Sequence, residues 1–410
     1  MSEKKGKKSK KSKNTENSKK KFTSTKLFKI LRIIIIIAII VVLINIFSNF
    51  SKTPEEITLI IGEEIIELEY ELIIDESENI YISKADVANL YDENIYYNEE
   101  EQILITTYNK HVAKLELDKT TMEVNSTEIA LNGTMKEENE ILYLPILDLG
   151  NVYDFEYEYN QETKTLMLDS ISEEKKEAVV LKTSKVKEEM SSFSKTLEKI
   201  KKSSGEYVTV FETSDEYTKV RTSSGVIGYI KTEKLSDIET LRENMEEETL
   251  ENVNILSDYN IVSSDYENIT ADENYTNIVI PNLFNIDENL EVQTVIDLSS
   301  SKYETYSLWA ENNGITLGAT VTLNGSMNEL CSSYVTRTCL INVLYNQFVN
   351  NKISVICIDF DDIDDTEGFY RFIIELTPRF KEIGFKVLVK YKDGLNEERL
   401  SNIVDYVINE

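Results

Sequence analysis

Ten residues near the C-terminus constrain this chain most: Ile353-Ser354-Val355-Ile356-Cys357-Ile358-Asp359-Phe360-Asp361-Asp362. An apolar run that allows no polar face predicts a strand covered on both sides, as in a parallel sheet sandwiched or ringed by helices. The run ends abruptly in carboxylates. In α/β barrels the C-terminal ends of the strands carry the chemistry. Side chains alternate along a strand, so Cys357, Asp359 and Asp361 share one face and Ile358, Phe360 and Asp362 the other.

The 410-residue length points to several domains. Charge is unevenly placed. Residues 1–32 carry 13 Lys+Arg against 2 Asp+Glu, a net of +11; the remainder carries 31 against 72, a net of −41. Such an acidic body repels nucleic acid and anionic surfaces, so no nucleic acid is expected as its partner. A single histidine, His111, excludes Ser-His-Asp, Cys-His and multi-histidine zinc chemistry within one chain. Cys331 and Cys339, eight residues apart, would lie about 12 Å apart on a helix, too far to bridge. Cys357 reads as a small core residue, and no disulfide framework is expected.

Residues 30–50 form an apolar run whose only charge is Arg32, long enough to span a bilayer. The lysine-rich tail at 1–29 precedes it. The positive-inside rule therefore predicts an uncleaved, single-pass signal anchor with the tail cytoplasmic and the acidic body extracellular. A small-x-small cleavage site is missing around Ser48-Asn49-Phe50-Ser51.

From 55 to 170 short β-type runs alternate with Asp/Glu/Asn turns, and the pattern repeats at an offset of 62. Asp86 aligns with Asp148, Tyr91 with Tyr153, Asp92 with Asp154, Tyr97 with Tyr159 and Asn98 with Asn160. Each unit reads as a strand, a short helix and a hairpin. This repeated α+β/all-β stalk module resembles the N-terminal domain of copper amine oxidases. With one histidine no copper site is expected, and the module reads as a spacer or wall-binding element.

Residues 173–187 read as polar helix or linker. Alternation predicts strands at 205–211 and 217–221, followed by Gly225-Val226-Ile227-Gly228-Tyr229-Ile230. That ending resembles bacterial SH3 domains, which places a small SH3-like β-barrel at 176–236. The resemblance implies a cell-wall peptide as its partner.

From 250 to 410 strands and helices alternate, which predicts a parallel α/β fold. Strands are expected at 254–256, 277–281, 314–321, 353–359, 385–389 and 404–408. Helices are expected at 303–312, 337–350, 369–383 and 397–402. The acidic strand, the strand-Pro-x-x-Phe ending at Ile278 to Phe284, the Phe372–Val389 segment and Asp405-Tyr406-Val407 together resemble the cell-wall and spore-cortex branch of family 18 glycoside hydrolases. The implied fold is an incomplete (β/α)8 TIM-type barrel, strands 1–6 only. The pattern stops within the sixth strand, where a fragment of a longer polypeptide is the expectation.

The resemblance implies substrate-assisted hydrolysis of N-acetylglucosamine-containing glycan, peptidoglycan or chitin-type. Asp361 falls on the catalytic acid, which is Glu in the family. Asp359 falls on the residue that orients the acetamido group and would raise the pKa of its neighbour. Phe284 and Asp362 are the implied substrate-binding residues, and no cofactor or metal is implied. Cys357 stands where the family has Asp or Asn. An acid one methylene shorter, displaced by about 1 Å, can cost roughly a hundredfold in rate. A weak or silent site in a glycan-binding scaffold is therefore the competing reading. A calcium loop over Asp359–Glu367 fails the EF-hand spacing, because Ile363 and Glu367 stand where a ligand and a glycine are required.

Overall fold

The computed structural model describes residues 56–245 and 265–409, together with 250, 252–256 and 261. The expected anchor at 30–50 lies outside these. Among the described residues no helix is long and apolar enough to cross a membrane.

The duplication at 56–170 is a structural repeat. The strand Ile80–Ser83 leads into the helix Lys84–Leu90 and the hairpin Tyr96–Asn98/Ile103–Tyr108. Its counterpart is the strand Ile141–Pro145, a 3-10 turn Ile146–Asn151 and the hairpin Phe155–Asn160/Thr165–Ser170. One aligned pair of aspartates, Asp86 and Asp148, does the same work in both copies. Asp86 accepts from the backbone N–H groups of Glu69 (2.6 Å) and Tyr70 (3.2 Å). Asp148 accepts from those of Asn132 (2.9 Å) and Gly133 (3.0 Å). Each ties down the loop that precedes its own strand. The aligned tyrosines Tyr91 and Tyr153 stack on each other, ring centroids 4.7 Å apart. The first strand, Thr58–Ile61, joins the second copy by pairing parallel with Thr165–Ser170.

Residues 175–242 form a seven-stranded antiparallel sheet. The segment read as helix or linker is instead two strands, Lys175–Val179 and Ser184–Lys187. Val186 is buried between exposed or half-buried lysines, an alternation that serves a strand with one wet face.

The C-terminal part is a parallel sheet in chain order: Val253–Ile255, Thr276–Val279, Thr316–Leu323, Val355–Asp359, Lys386–Lys390 and Tyr406–Ile408. All six expected strands are present. The helices Ser301–Asn312, Tyr334–Asn350, Thr366–Lys381 and Glu397–Ile403 match the expected four. An added hairpin, Asn282–Ile286/Val292–Thr294, was not anticipated; its first strand runs parallel to Thr316–Leu323. Ile356, Ile358, Val387 and Val389 face the helices and pack with Phe348, Phe372 and Phe380. Ile278, Ile280, Val355, Cys357 and Leu388 form a separate cluster on the opposite face. This is the two-sided burial that the apolar run requires.

The module holds both neighbours. Arg371, on the helix Thr366–Lys381, donates to the Asn94 carbonyl (2.9 Å) and lies over the Tyr96 ring (4.5 Å). Tyr334 packs with Ile105 and Val112. On the other copy, Arg221 of the seven-stranded sheet forks onto Asp169 (2.8 and 2.7 Å), and Lys219 pairs with Glu63 (2.9 Å).

Candidate functional site

Asp359 is the last residue of its strand, and pairing with the neighbouring strand sets what it meets. Cys357 is opposite Leu388 and Ile358 opposite Val389, so continuing the register puts Lys390 beside Asp359 and Lys392 beside Asp361. The side chains meet accordingly. Lys390 Nζ lies 2.9 Å from Asp359 Oδ2, and Lys392 Nζ lies 2.7 Å from Asp359 Oδ1 and 2.8 Å from Asp361 Oδ1. On the other side Thr322 is in register with Asp359, and its hydroxyl donates to Asn285 Oδ1 (3.1 Å).

These contacts set the electrostatics. Burial pushes the Asp359 carboxyl upward, but hydrogen bonds and charges from Lys392 and Lys390 outweigh it and hold the group below its ordinary range. Burial also works against the Lys392 ammonium, and its two carboxylate partners more than compensate, raising it above the usual lysine value. Lys392 bridges the two carboxylates. The two carboxylates, expected to repel each other, share one cation instead. Cys357 is fully buried, and burial pushes its thiol up to about 12, so it is neutral.

The expected site residues divide. Asp359 (side chain 16% exposed) and Asp361 (81% exposed) converge on Lys392. Asp362 is exposed on the following loop. Phe284 is corrected: it is fully buried in the helix-facing core and stacks on Phe348 at 5.1 Å, so it presents no ring to a ligand. The loop acids Asp364 and Asp365 have other tasks. Asp364 accepts from Asn328 Nδ2 (3.1 Å), and Asp365 caps the following helix through the Gly368 N–H (2.9 Å). Among the described residues no group of three or more His, Cys, Asp or Glu is arranged to hold a metal. Sequence reasoning missed Lys390 and Lys392, although cations recurring every second residue at the end of an apolar strand were the available signal.

Away from this cluster, a recess of about 410 Å³ lies where the module meets the seven-stranded sheet. Glu158, Glu177, Glu206, Tyr207 and Arg221 line it.

The chain was compared with known proteins. The family model described as the copper amine oxidase N-terminal domain matches residues 60–168. No curated protein matches significantly. Among solved structures, similarity is found to the spore cortex-lytic enzyme SleL of Bacillus cereus, at 12% identity over 42% of this chain and 43% of that one, TM-score 0.32. A Group II chitinase catalytic domain of Ostrinia furnacalis matches at 14% identity over 38% and 49%, TM-score 0.31. A chitinase of Chromobacterium violaceum matches at 16% over 32% and 47%, TM-score 0.28. The chain spans about half the length of these structures.

Proposed function

We propose that this is an outward-facing, membrane-anchored surface protein whose C-terminal domain binds N-acetylglucosamine-containing glycan without cleaving it. The observation that carries the reading is the Asp359–Lys392–Asp361 bridge. Glycosidic cleavage needs a general acid that holds its proton near neutral pH, which enzymes secure with apolar surroundings or an unpaired neighbouring carboxylate. Asp361 has neither: it is open to solvent and paired with an ammonium. The same cluster suits binding. Two carboxylates, two ammonium groups and the Thr322–Asn285 pair offer donors and acceptors for sugar hydroxyl and acetamido groups. The apolar run at 30–50 and its basic flank support the anchor. The Gly-x-x-Gly-Tyr-Ile spacing at 225–230 supports an SH3-type reading of the seven-stranded domain. The carboxylate-lined recess beside it suits the amine of a wall peptide.

Titration calorimetry of the full chain with a chitin-type pentamer tests the binding claim. Binding that weakens at least ~10-fold in Asp359→Asn, as expected for loss of a charge-assisted contact, supports it. No heat at millimolar pentamer, with folding intact, sinks it.

A further inference from the structure

The hairpin Ser184–Lys187/Thr196–Ile200 departs from the rest of the body in two ways. The body is strongly acidic, yet residues 182–202 hold seven lysines and three glutamates, a net of +4. Six of the lysines, at 182, 185, 195, 199, 201 and 202, are exposed. Its tip also presents large apolar side chains to water: Phe193 is 100% exposed and Met190 51%. The tip is held in this shape. The Glu189 N–H donates to Ser194 Oγ (3.0 Å), Lys187 Nζ to the Ser194 carbonyl (2.6 Å), and Ser192 and Tyr217 share a hydroxyl hydrogen bond (3.1 Å).

Folding does not explain the pattern. Lys185 stands directly opposite Lys199, and like charges across a strand pair destabilise it. Edge lysines can block strand addition, and Thr196–Ile200 is an edge strand. A protective edge has no use for a bare phenylalanine at its tip, however.

We infer that this hairpin docks on the anionic headgroup surface of a lipid bilayer, with Phe193 and Met190 inserted at the acyl boundary and the lysines over the phosphates. An apolar tip flanked by lysines is the arrangement that binds such interfaces. Glu188 and Glu189 sit near the tip but are outnumbered by the exposed lysines. The proposal builds on the reading of residues 30–50 as an anchor. Seven residues separate Phe50 from the first strand at Thr58, a span of at most ~29 Å if fully extended. Gly62, just past that strand, accepts from Arg221 of the same seven-stranded domain.

The test uses the full chain carrying Phe193→Trp, mixed with vesicles of phosphatidylcholine alone or three parts phosphatidylcholine to one part phosphatidylglycerol, with brominated acyl chains. Trp309 in the parent chain sets the background. We expect quenching of the added tryptophan in the anionic vesicles and little in the neutral ones. Lys185→Glu with Lys199→Glu should cut the docked population by ~25-fold or more, at about fivefold per lysine, with an unchanged circular dichroism spectrum. Vesicle flotation without quenching overturns the docking and leaves the anchor standing. Flotation only with anionic vesicles, with quenching, supports the docking and overturns the anchor. Binding of soluble polyphosphate with no quenching in either vesicle overturns the lipid as occupant.

Discussion

Lys392 is the residue on which the site turns, because it joins Asp359 to Asp361. Asp359 has a folded-state pKa below its ordinary value, so the contribution of its ion pairs is complete above about pH 4–5 and is lost as pH falls through the lower folded value. Lys392→Met should therefore flatten the loss of stability on acidification, seen by urea denaturation at neutral pH and near pH 3. An unchanged pH slope would show that Lys390 alone holds the carboxylate. A second pair is structural. Arg337 and Glu375, 5% and 2% exposed, form a two-pronged bridge at 2.8 and 2.7 Å between adjacent helices. Arg337→Ala leaves a buried carboxylate alone and should cost ~3–5 kcal/mol in chemical denaturation, whereas Arg337→Met with Glu375→Leu should cost far less. Equal losses would contradict that account. Neither bridge was legible in the sequence, because a partner 31 or 38 residues away leaves no local periodicity.

At the level of elements, the duplicated unit shows what a repeat in sequence can specify. The offset of 62 located both hairpins and paired Asp86 with Asp148, since equivalent loops need equivalent acceptors. The copies differ in burial: Asp86 is 2% exposed and also accepts from the Ser83 hydroxyl, while Asp148 is half-buried. Asp86→Ala should cost ~1–3 kcal/mol, and Asp148→Ala less, by thermal unfolding; the reverse order would count against their role in holding those loops. Each copy also grips one neighbour through an arginine. Arg371→Ala should speed amide exchange in the helix Thr366–Lys381 and leave the strand Tyr217–Arg221 unchanged, and Arg221→Ala should do the converse. Exchange that rises in both regions for either variant would mean the two contacts are not independent. The strands Lys175–Val179 and Ser184–Lys187 escaped sequence reading because lysine-rich alternation resembles a solvated linker. The hairpin Asn282–Ile286/Val292–Thr294 escaped because its strands are short and its turn combines backbone bonds, Asp287 N–H to the Glu291 carbonyl and Leu290 N–H to the Asp287 carbonyl, with one side chain. Asp287 Oδ1 accepts from the N–H groups of Asn289 (2.9 Å) and Glu291 (3.0 Å).

Across the whole molecule, the parallel sheet and its helices were legible because strands buried on two faces leave short unbroken apolar runs, and helices such as Thr366–Lys381 between them carry an apolar face at helical spacing. The site was half legible. The carboxylates announce themselves at the end of an apolar run, but the face a ring occupies depends on strand register, which shifts between Asn282 and Phe284, and Phe284 lies on the helix side. The helix after the acidic strand is held on the module by Arg371, so the carboxylates are carried on a braced scaffold.

The central claim is that the site binds glycan and leaves it whole. Mass spectrometry of a chitin-type pentamer incubated with the full chain in ¹⁸O-water tests it most directly. The account predicts intact pentamer and no labelled reducing ends. Shorter labelled products that disappear in Asp361→Asn would contradict it and assign Asp361 the role of acid.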